Sequence, residues 1–265
     1  MPYKTDTDNF LHTNPSLYLA FHDDDELSMA RFVHRLLVEY KAGSRVLDVG
    51  SGPGREVAYL HRAGYEAAGL DNSQEMLSWA RALYPGLTFE YGSQSDFDLG
   101  RQFDALICVG STFLYNFTNA EVLASLRCFR QHLPEGGLLY LDMRNAAFFL
   151  TGEGRRWLTE ELTERRAING ETVTMTTRFG IDSARQLLDR NYCWTFEGHK
   201  PVREHLQHRL LFPQELALYL ELSGFRLVRL FDKPAPHVAR FEPGQPLAFG
   251  DEMTGTRMQA IAVAV

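Results

Sequence analysis

The chain has 265 residues, 45% of them hydrophobic and 23% charged, enough apolar material for one large domain, or a domain with an insert, without disulfide staples. Its 27 Lys and Arg against 34 Asp and Glu leave a formal charge of −7, which argues against grasping nucleic acid through bulk charge. Three cysteines (Cys108, Cys128, Cys193) without a C-x-x-C pair exclude a disulfide framework and a zinc knuckle; with no apolar leader or eighteen-residue apolar run, they point to a reduced, cytoplasmic protein off the membrane.

In chain order, Leu27, Ala30, Val33, Leu37 and Tyr40 form a helical stripe. The acidic run Asp23, Asp24, Asp25, Glu26 precedes it, where a helix dipole favours negative charge. Short apolar strands are expected at 45–49, 65–71, 87–91, 103–109 and 138–142. Between them lie helical stripes, one of Met76, Leu77, Ala80 and Leu83, another of Val122, Leu123, Leu126, Phe129 and Leu133. Asn72 followed by Glu75 suggests a capping box for the first, and Gly136-Gly137 stops the second. Apolar strands alternating with helices imply a doubly wound α/β fold around a parallel sheet.

Beyond residue 145 the texture changes. RRWLTEELTERR (155–166) reads as a solvated helix, with Glu161 and Arg165 at i,i+4 spacing. Segments 171–180, 187–197 and 202–211 alternate, with Arg190, Tyr192, Trp194 and Phe196 on one face, and predict a small antiparallel β insert. A helix at 214–223, behind Pro213, and strands at 225–231 and 258–265 complete the chain. The expected organisation is an N-terminal helical lid (1–42), a ligand-binding core (43–145), a β-rich substrate or lid insert (146–211) and a C-terminal return to the core sheet (212–265).

The sharpest local signal is VLDVGSGPG, from Val46 to Gly54, where a buried strand runs into alternate glycines and then a helix. Gly50 and Gly52 let the backbone bend and approach a ligand, at the carboxyl edge where open α/β sheets bind them. Asp71 ends the next strand and can accept both hydroxyls of a ribose. A dinucleotide fingerprint would need Gly where Arg55 stands, and no Walker G-K-[ST] follows; a purely structural turn is the other alternative. The pattern suits a nucleoside without a pyrophosphate.

VLDVGSGPG, GLDNSQEML (69–77), FDALICVGSTF (103–113) and LPEGGLLYLD (133–142) together resemble the class I S-adenosylmethionine-dependent methyltransferases over roughly residues 40–145. The resemblance implies a Rossmann-like seven-stranded sheet whose last strand is antiparallel, and S-adenosyl-L-methionine as cofactor, leaving as S-adenosyl-L-homocysteine. It would set Gly50, Ser51 and Gly52 against the methionine part and Asp71 on the ribose. Asn72 and Met76 would line the adenine, Gln94 would lie over its edge, and Val109 and Gly110 would lie beneath the sulfonium. Many relatives carry Asp where this chain has Ser93, a position that contacts the adenine amino group; Asp96 is the substitute within reach.

YLDMRNAAFF (140–149) is similar to the segment after the fifth strand in glycine and sarcosine N-methyltransferases, whose Arg binds the substrate carboxylate; the match here is Arg144. Ser111 stands where that group has Asn. The insert and the Pro-Gln-Glu-Leu helix start also look like sugar-amine N-methyltransferases. Arg144 suits a bidentate anion clamp, the alternative being a salt bridge to Asp142 or an acid of the insert. Tyr18, comparable to a lid tyrosine of the family, and Tyr115 are the candidate catalytic groups; Tyr192 and His205 join Ser111 and Arg144 as candidate substrate contacts. His205 and His208, three apart on a strand, point to opposite faces and so form no metal pair, and no metal is expected. No G-x-S-x-G or H-E-x-x-H occurs. The expected activity is methylation of a small-molecule amine or ring nitrogen. The alternatives are O- or C-methylation of an aromatic natural product, an RNA or protein methyltransferase, and a non-catalytic partner subunit; a homodimer is possible.

Overall fold

The computed structural model describes residues 3–5, 9–22 and 27–265; the acidic run at 23–26 lies outside them. Five strands, β1 (Arg45–Val49), β2 (Glu66–Asp71), β3 (Thr88–Tyr91), β4 (Ala105–Cys108) and β5 (Leu138–Arg144), pair in parallel. Two late strands, β10 (Phe225–Phe231) and β11 (Arg257–Ala264), extend the sheet to seven, in the order β10-β11-β5-β4-β1-β2-β3. β11 runs antiparallel to both neighbours. The chain reverses direction of travel between β1 and β4, so their carboxyl ends open a crevice at the switch point of the sheet.

Helices cover both faces, as continuous apolar strands require. α2 (Ser28–Glu39), α3 (Arg55–Arg62) and α4 (Gln74–Leu83) bury Phe32, Leu60 and Leu77 on one face, and α5 (Asn119–Gln131) and α7 (Pro213–Leu222) bury Leu126 and Leu216 on the other. Capping chemistry fixes their starts. Thr118 and Glu121 form a reciprocal capping box on α5. On α4 the cap is Ser73, whose Oγ accepts from Met76 N at 3.2 Å, one residue beyond the Asn72 expected from sequence.

The insert has four strands rather than three: β6 (Leu162–Ile168), β7 (Glu171–Asp182), β8 (Leu187–Phe196) and β9 (Val202–Arg209), antiparallel in that order. The extra strand corrects the helical reading of 155–166. Helix α6 (Gly152–Trp157) stops early, and Glu161 pairs with Arg178 across the sheet at 2.7 Å instead of with Arg165. β6 is an edge strand, and its exposed charges, Glu164, Arg165 and Arg166, suit an edge that must not recruit another strand.

One face of this sheet is closed by the N-terminal segment. Phe10 and Phe21, the latter in helix α1 (Pro15–His22), bring their rings to 5.8 and 5.1 Å from buried Trp194. Glu204 pins the arrangement, accepting from Leu11 N at 3.1 Å and from Trp194 Nε1 at 3.0 Å. Among the described residues no helix is long and apolar enough to cross a membrane.

Candidate active site

The glycine loop after β1 is held by Leu70 O, which accepts from Gly50 N at 2.7 Å and Ser51 N at 3.0 Å. At Gly50 the backbone adopts φ +77°, and a side chain there would collide with Thr112, 2.2 Å from where its Cβ would lie. Asp71 closes the loop from the next strand. Its Oδ2 accepts from Gly52 N and its Oδ1 from Ser73 N, each at 2.8 Å, and the Asn72 N–H also acts on it, which leaves at least one of the carboxylate's four acceptor sites open. Burial raises its pKa, against the pull of those N–H donors.

Asp71 lines a cavity of about 690 Å³ whose floor is the switch-point crevice. Of the residues expected to hold a nucleoside, Gly50, Gly52, Asn72, Met76, Gln94 and Gly110 line it as well. Ser51 and Val109 line an adjoining space of about 220 Å³ that shares Gly50, Gly52 and Gly110 with the first. No atom lies within 4 Å of where a Cβ on Gly52 or Gly110 would project. Gln94 donates through Nε2 to Thr112 O at 3.0 Å, while its buried Oε1 has no partner. Ser93 and Asp96 are exposed and bridge to each other outside the cavity wall.

Asp48, on β1 beneath the loop, was not singled out by sequence. It is 1% exposed, and neither carboxylate oxygen has a hydrogen-bond partner. Burial, reinforced by Glu56 and Asp71, pushes its pKa well above the carboxylate range. The folded protein therefore binds a proton there that the unfolded chain releases. Stability from that proton is full below about pH 4 and is lost as pH rises toward the folded value, by at most about 1.4 kcal/mol per pH unit. Asp48→Asn should accordingly stabilise the ligand-free protein at pH 8 and match wild type near pH 4. Urea unfolding at the two pH values checks this; an offset independent of pH would sink it.

The floor beside Gly110 is tied to the far side of the sheet. Asp142, fully buried on β5, accepts from Gly110 N at 3.2 Å and forms a two-pronged ion pair with Arg257 of β11. Arg257 also donates to Ser111 Oγ at 2.9 Å, and that hydroxyl accepts from Arg144 N at 3.1 Å. Ser111 is thus buried in this network and does not reach the cavity. Because Arg257 occupies Asp142, the expected alternative of an Arg144–Asp142 bridge is overturned. Arg144 makes no ion pair among the described residues: its guanidinium lies 5.3 Å from the Phe179 ring centre, and its buried Nε is unpartnered. Burial and the nearby charge of Arg190 draw its pKa down to about 10.

The roof comes from the N-terminal segment and the insert. Tyr18 and Tyr115 both line the cavity, as do Tyr192, His12 and His22. Tyr18 stacks on His22 with ring centres 4.5 Å apart and planes 9° from parallel. Burial raises the pKa of both tyrosines, so neither phenol is primed as a base. His12 Nδ1 lies 2.6 Å from Asn9 Oδ1, which assigns the ring proton to Nδ1 and leaves Nε2 as an acceptor. Burial, with the charge of Arg190, takes His12 down to about 3, so it stays neutral.

The two insert histidines do face opposite ways. His205 is exposed and 2.9 Å from Asp189, away from the cavity, whereas His208 is buried and lines it. His12, His208 and Arg190 were missed as site residues; the shared face of Arg190 and Tyr192 was the available signal. Among the described residues, no three His, Cys, Asp or Glu side chains gather as metal ligands.

A family model of the methyltransferase domain matches residues 21–230. The chain is 34% identical over 99 residues to dTDP-3-amino-3,4,6-trideoxy-alpha-D-glucopyranose N,N-dimethyltransferase of Streptomyces venezuelae, covering 37% of this chain and 42% of that enzyme. It is 34% identical over 129 residues to the glycine/sarcosine N-methyltransferase of Parasynechococcus marenigrum, covering 46% and 45%. The chain thus aligns with less than half the length of these curated relatives. Among solved structures, DesVI of Streptomyces venezuelae superimposes with a TM-score of 0.73 at 21% identity, covering 94% of this chain and 95% of that one. The sugar N-methyltransferase KedS8 from Streptoalloteichus also gives 0.73, at 23% identity, covering 94% and 91%. These likenesses concern the fold.

Proposed function

The chain belongs to the methyltransferase-domain family, and from that premise we propose that it moves a methyl group from S-adenosyl-L-methionine to the nitrogen of a small-molecule amine, releasing S-adenosyl-L-homocysteine. The observation that carries the reading is Asp71. It is buried at the cavity wall, oriented by backbone donors of Gly52, Ser73 and Asn72, and a carboxylate's four acceptor sites leave room for a ribose hydroxyl. The unpartnered Gln94 Oε1 suits the adenine amino group, and the open floor over Gly52 and Gly110 suits the methionine arm.

When bound, the cofactor supplies a methyl group on a positively charged sulfur. What the chain contributes is orientation and the exclusion of water, for which effective molarities of about 10⁵ M or more are available. The amine must present a lone pair in line with the methyl. Neutral His12, with Nε2 free to accept, can hold an amine N–H and turn that lone pair toward the floor at Gly110. Tyr18 and Tyr115 wall the same space without giving up protons. The N-terminal segment and the insert serve as the cover that keeps the transfer dry. Dimethyltransferases of amino sugars and glycine/sarcosine N-methyltransferases among the relatives support nitrogen as acceptor. The three free cysteines are in keeping with a reduced, cytoplasmic setting.

The test is calorimetric titration with S-adenosylhomocysteine, with NAD as control, followed by methyl transfer from labelled cofactor to amines, phenols and bulk tRNA. Roughly micromolar binding of the homocysteine product alone, with label in amines, is expected. No binding would overturn the cofactor assignment, and label confined to phenols or tRNA would overturn the acceptor.

A further inference from the structure

The roof of the cavity holds a buried positive charge that pairs with no carboxylate among the described residues. Arg190 of β8 is 7% exposed and lines the cavity, yet it makes no ion pair with any carboxylate among the described residues. Its hydrogen bonds go to neutral groups: Nη1 faces both ring nitrogens of His208, Nε2 at 2.9 Å and Nδ1 at 3.3 Å, and Nη2 donates to Tyr115 OH at 3.3 Å. A guanidinium has five N–H donors, so with Nη1 turned to His208 and one Nη2 hydrogen on Tyr115, at least two remain, one on Nη2 and one on the buried and unpartnered Nε. The acid on the same sheet face, Glu204, has both oxygens engaged by Leu11 N and Trp194 Nε1. A second guanidinium, Arg144, stacks on Phe179, the direct cross-strand partner of Arg190, and it too lacks a carboxylate.

Burying a guanidinium without a carboxylate in hydrogen-bond contact is costly, because the charge of Glu204 acts on it only from a distance. Here the cost has been accepted at a cavity wall, and the fork is held rigid by Tyr115 and His208 and flanked by the Tyr192 ring, 5.5 Å away. A planar fork so oriented recognises a carboxylate or phosphoryl group by paired, charge-assisted hydrogen bonds. We propose that Arg190 anchors an anionic oxygen group of the acceptor, so that the amine methylated here is one that also carries a carboxylate or a phosphate. This deepens the N-methyltransferase reading and rests on it for the identity of the nucleophile.

The experiment uses the intact chain and its S-adenosylhomocysteine complex at low ionic strength, titrated separately with sodium acetate and with inorganic phosphate. Heat from acetate alone identifies a carboxylate, and heat from phosphate alone a phosphoryl group. Arg190→Gln is expected to weaken the anion that binds by roughly tenfold or more, with homocysteine affinity unchanged. Arg203→Gln, at an exposed position of β9, should leave both affinities as they are. Binding of neither anion to wild type, or equal binding to Arg190→Gln, overturns the proposal. Should that variant fail to fold, Arg190→Lys decides: it keeps the charge but loses the fork, and anion affinity equal to wild type overturns the proposal. Absence of homocysteine binding would instead refute the cofactor reading, and the anion titration of the chain alone would still decide on Arg190.

Discussion

Asp71→Ala is expected to weaken S-adenosylhomocysteine binding by on the order of 100-fold, measured by calorimetry. Loss of a charge-assisted hydrogen bond from the ribose accounts for that magnitude, since a bond to a charged group contributes about 1.5–3 kcal/mol. The same carboxylate positions the loop: without it Gly52 N and Ser73 N lose their acceptors, and the start of α4 loosens. Asp71→Asn separates the two effects. Its amide oxygen can still accept one bond, so its affinity should fall between those of wild type and Asp71→Ala. An unchanged dissociation constant in Asp71→Ala would remove the ribose assignment and, with it, the observation on which the function rests.

The part of the site that Asp71 belongs to was readable because it is local. A buried strand, a glycine loop and an acid at the end of the next strand all lie between Val46 and Asp71, and parallel neighbours at the carboxyl edge must bring them together. The strand limits were readable for the same reason. 45–49 and 225–231 match the observed β1 and β10 residue for residue, because apolar runs bounded by turn residues leave little choice. β6 was misread because the charges of 161–166 satisfy two patterns at once: Glu161 and Arg165 fit i,i+4, while Glu164, Arg165 and Arg166 fit an exposed edge strand. Tertiary pairing with β7 decides between them, and no local signal carries it.

The roof was illegible for a related reason. His12, Arg190 and His208 meet over the cavity only because the N-terminal segment docks on Trp194 and the insert folds across the sheet edge. Period-2 alternation separates His205 from His208, yet it cannot say which face looks inward until the register with β8 is known. The Asp142–Arg257 pair is hidden in the same way. The antiparallel last strand sets Arg257 opposite Arg144, and its fork then reaches diagonally to Asp142, 115 residues away in sequence.

That pair underlies the second large effect. Arg257→Met is expected to destabilise the protein by about 3–5 kcal/mol, because Asp142 would be left charged and fully buried. In a chain of this size the loss lowers the melting temperature by on the order of 10 °C. Adding Asp142→Leu removes the orphaned charge, and the double variant should recover much of the loss, as apolar replacement of buried ion pairs often does. Recovery of stability is not expected to restore turnover. Gly110 N and Ser111 Oγ take their anchors from this pair, and the double variant cuts both while leaving the Asp71 side of the cavity untouched. S-adenosylhomocysteine affinity should therefore fall less in the double variant than in Asp71→Ala, while the methyl-transfer rate falls at saturating amine and cofactor, because the floor beneath the transferred methyl is no longer fixed. A double variant that is both stable and fully active would show that the ion pair serves the fold alone.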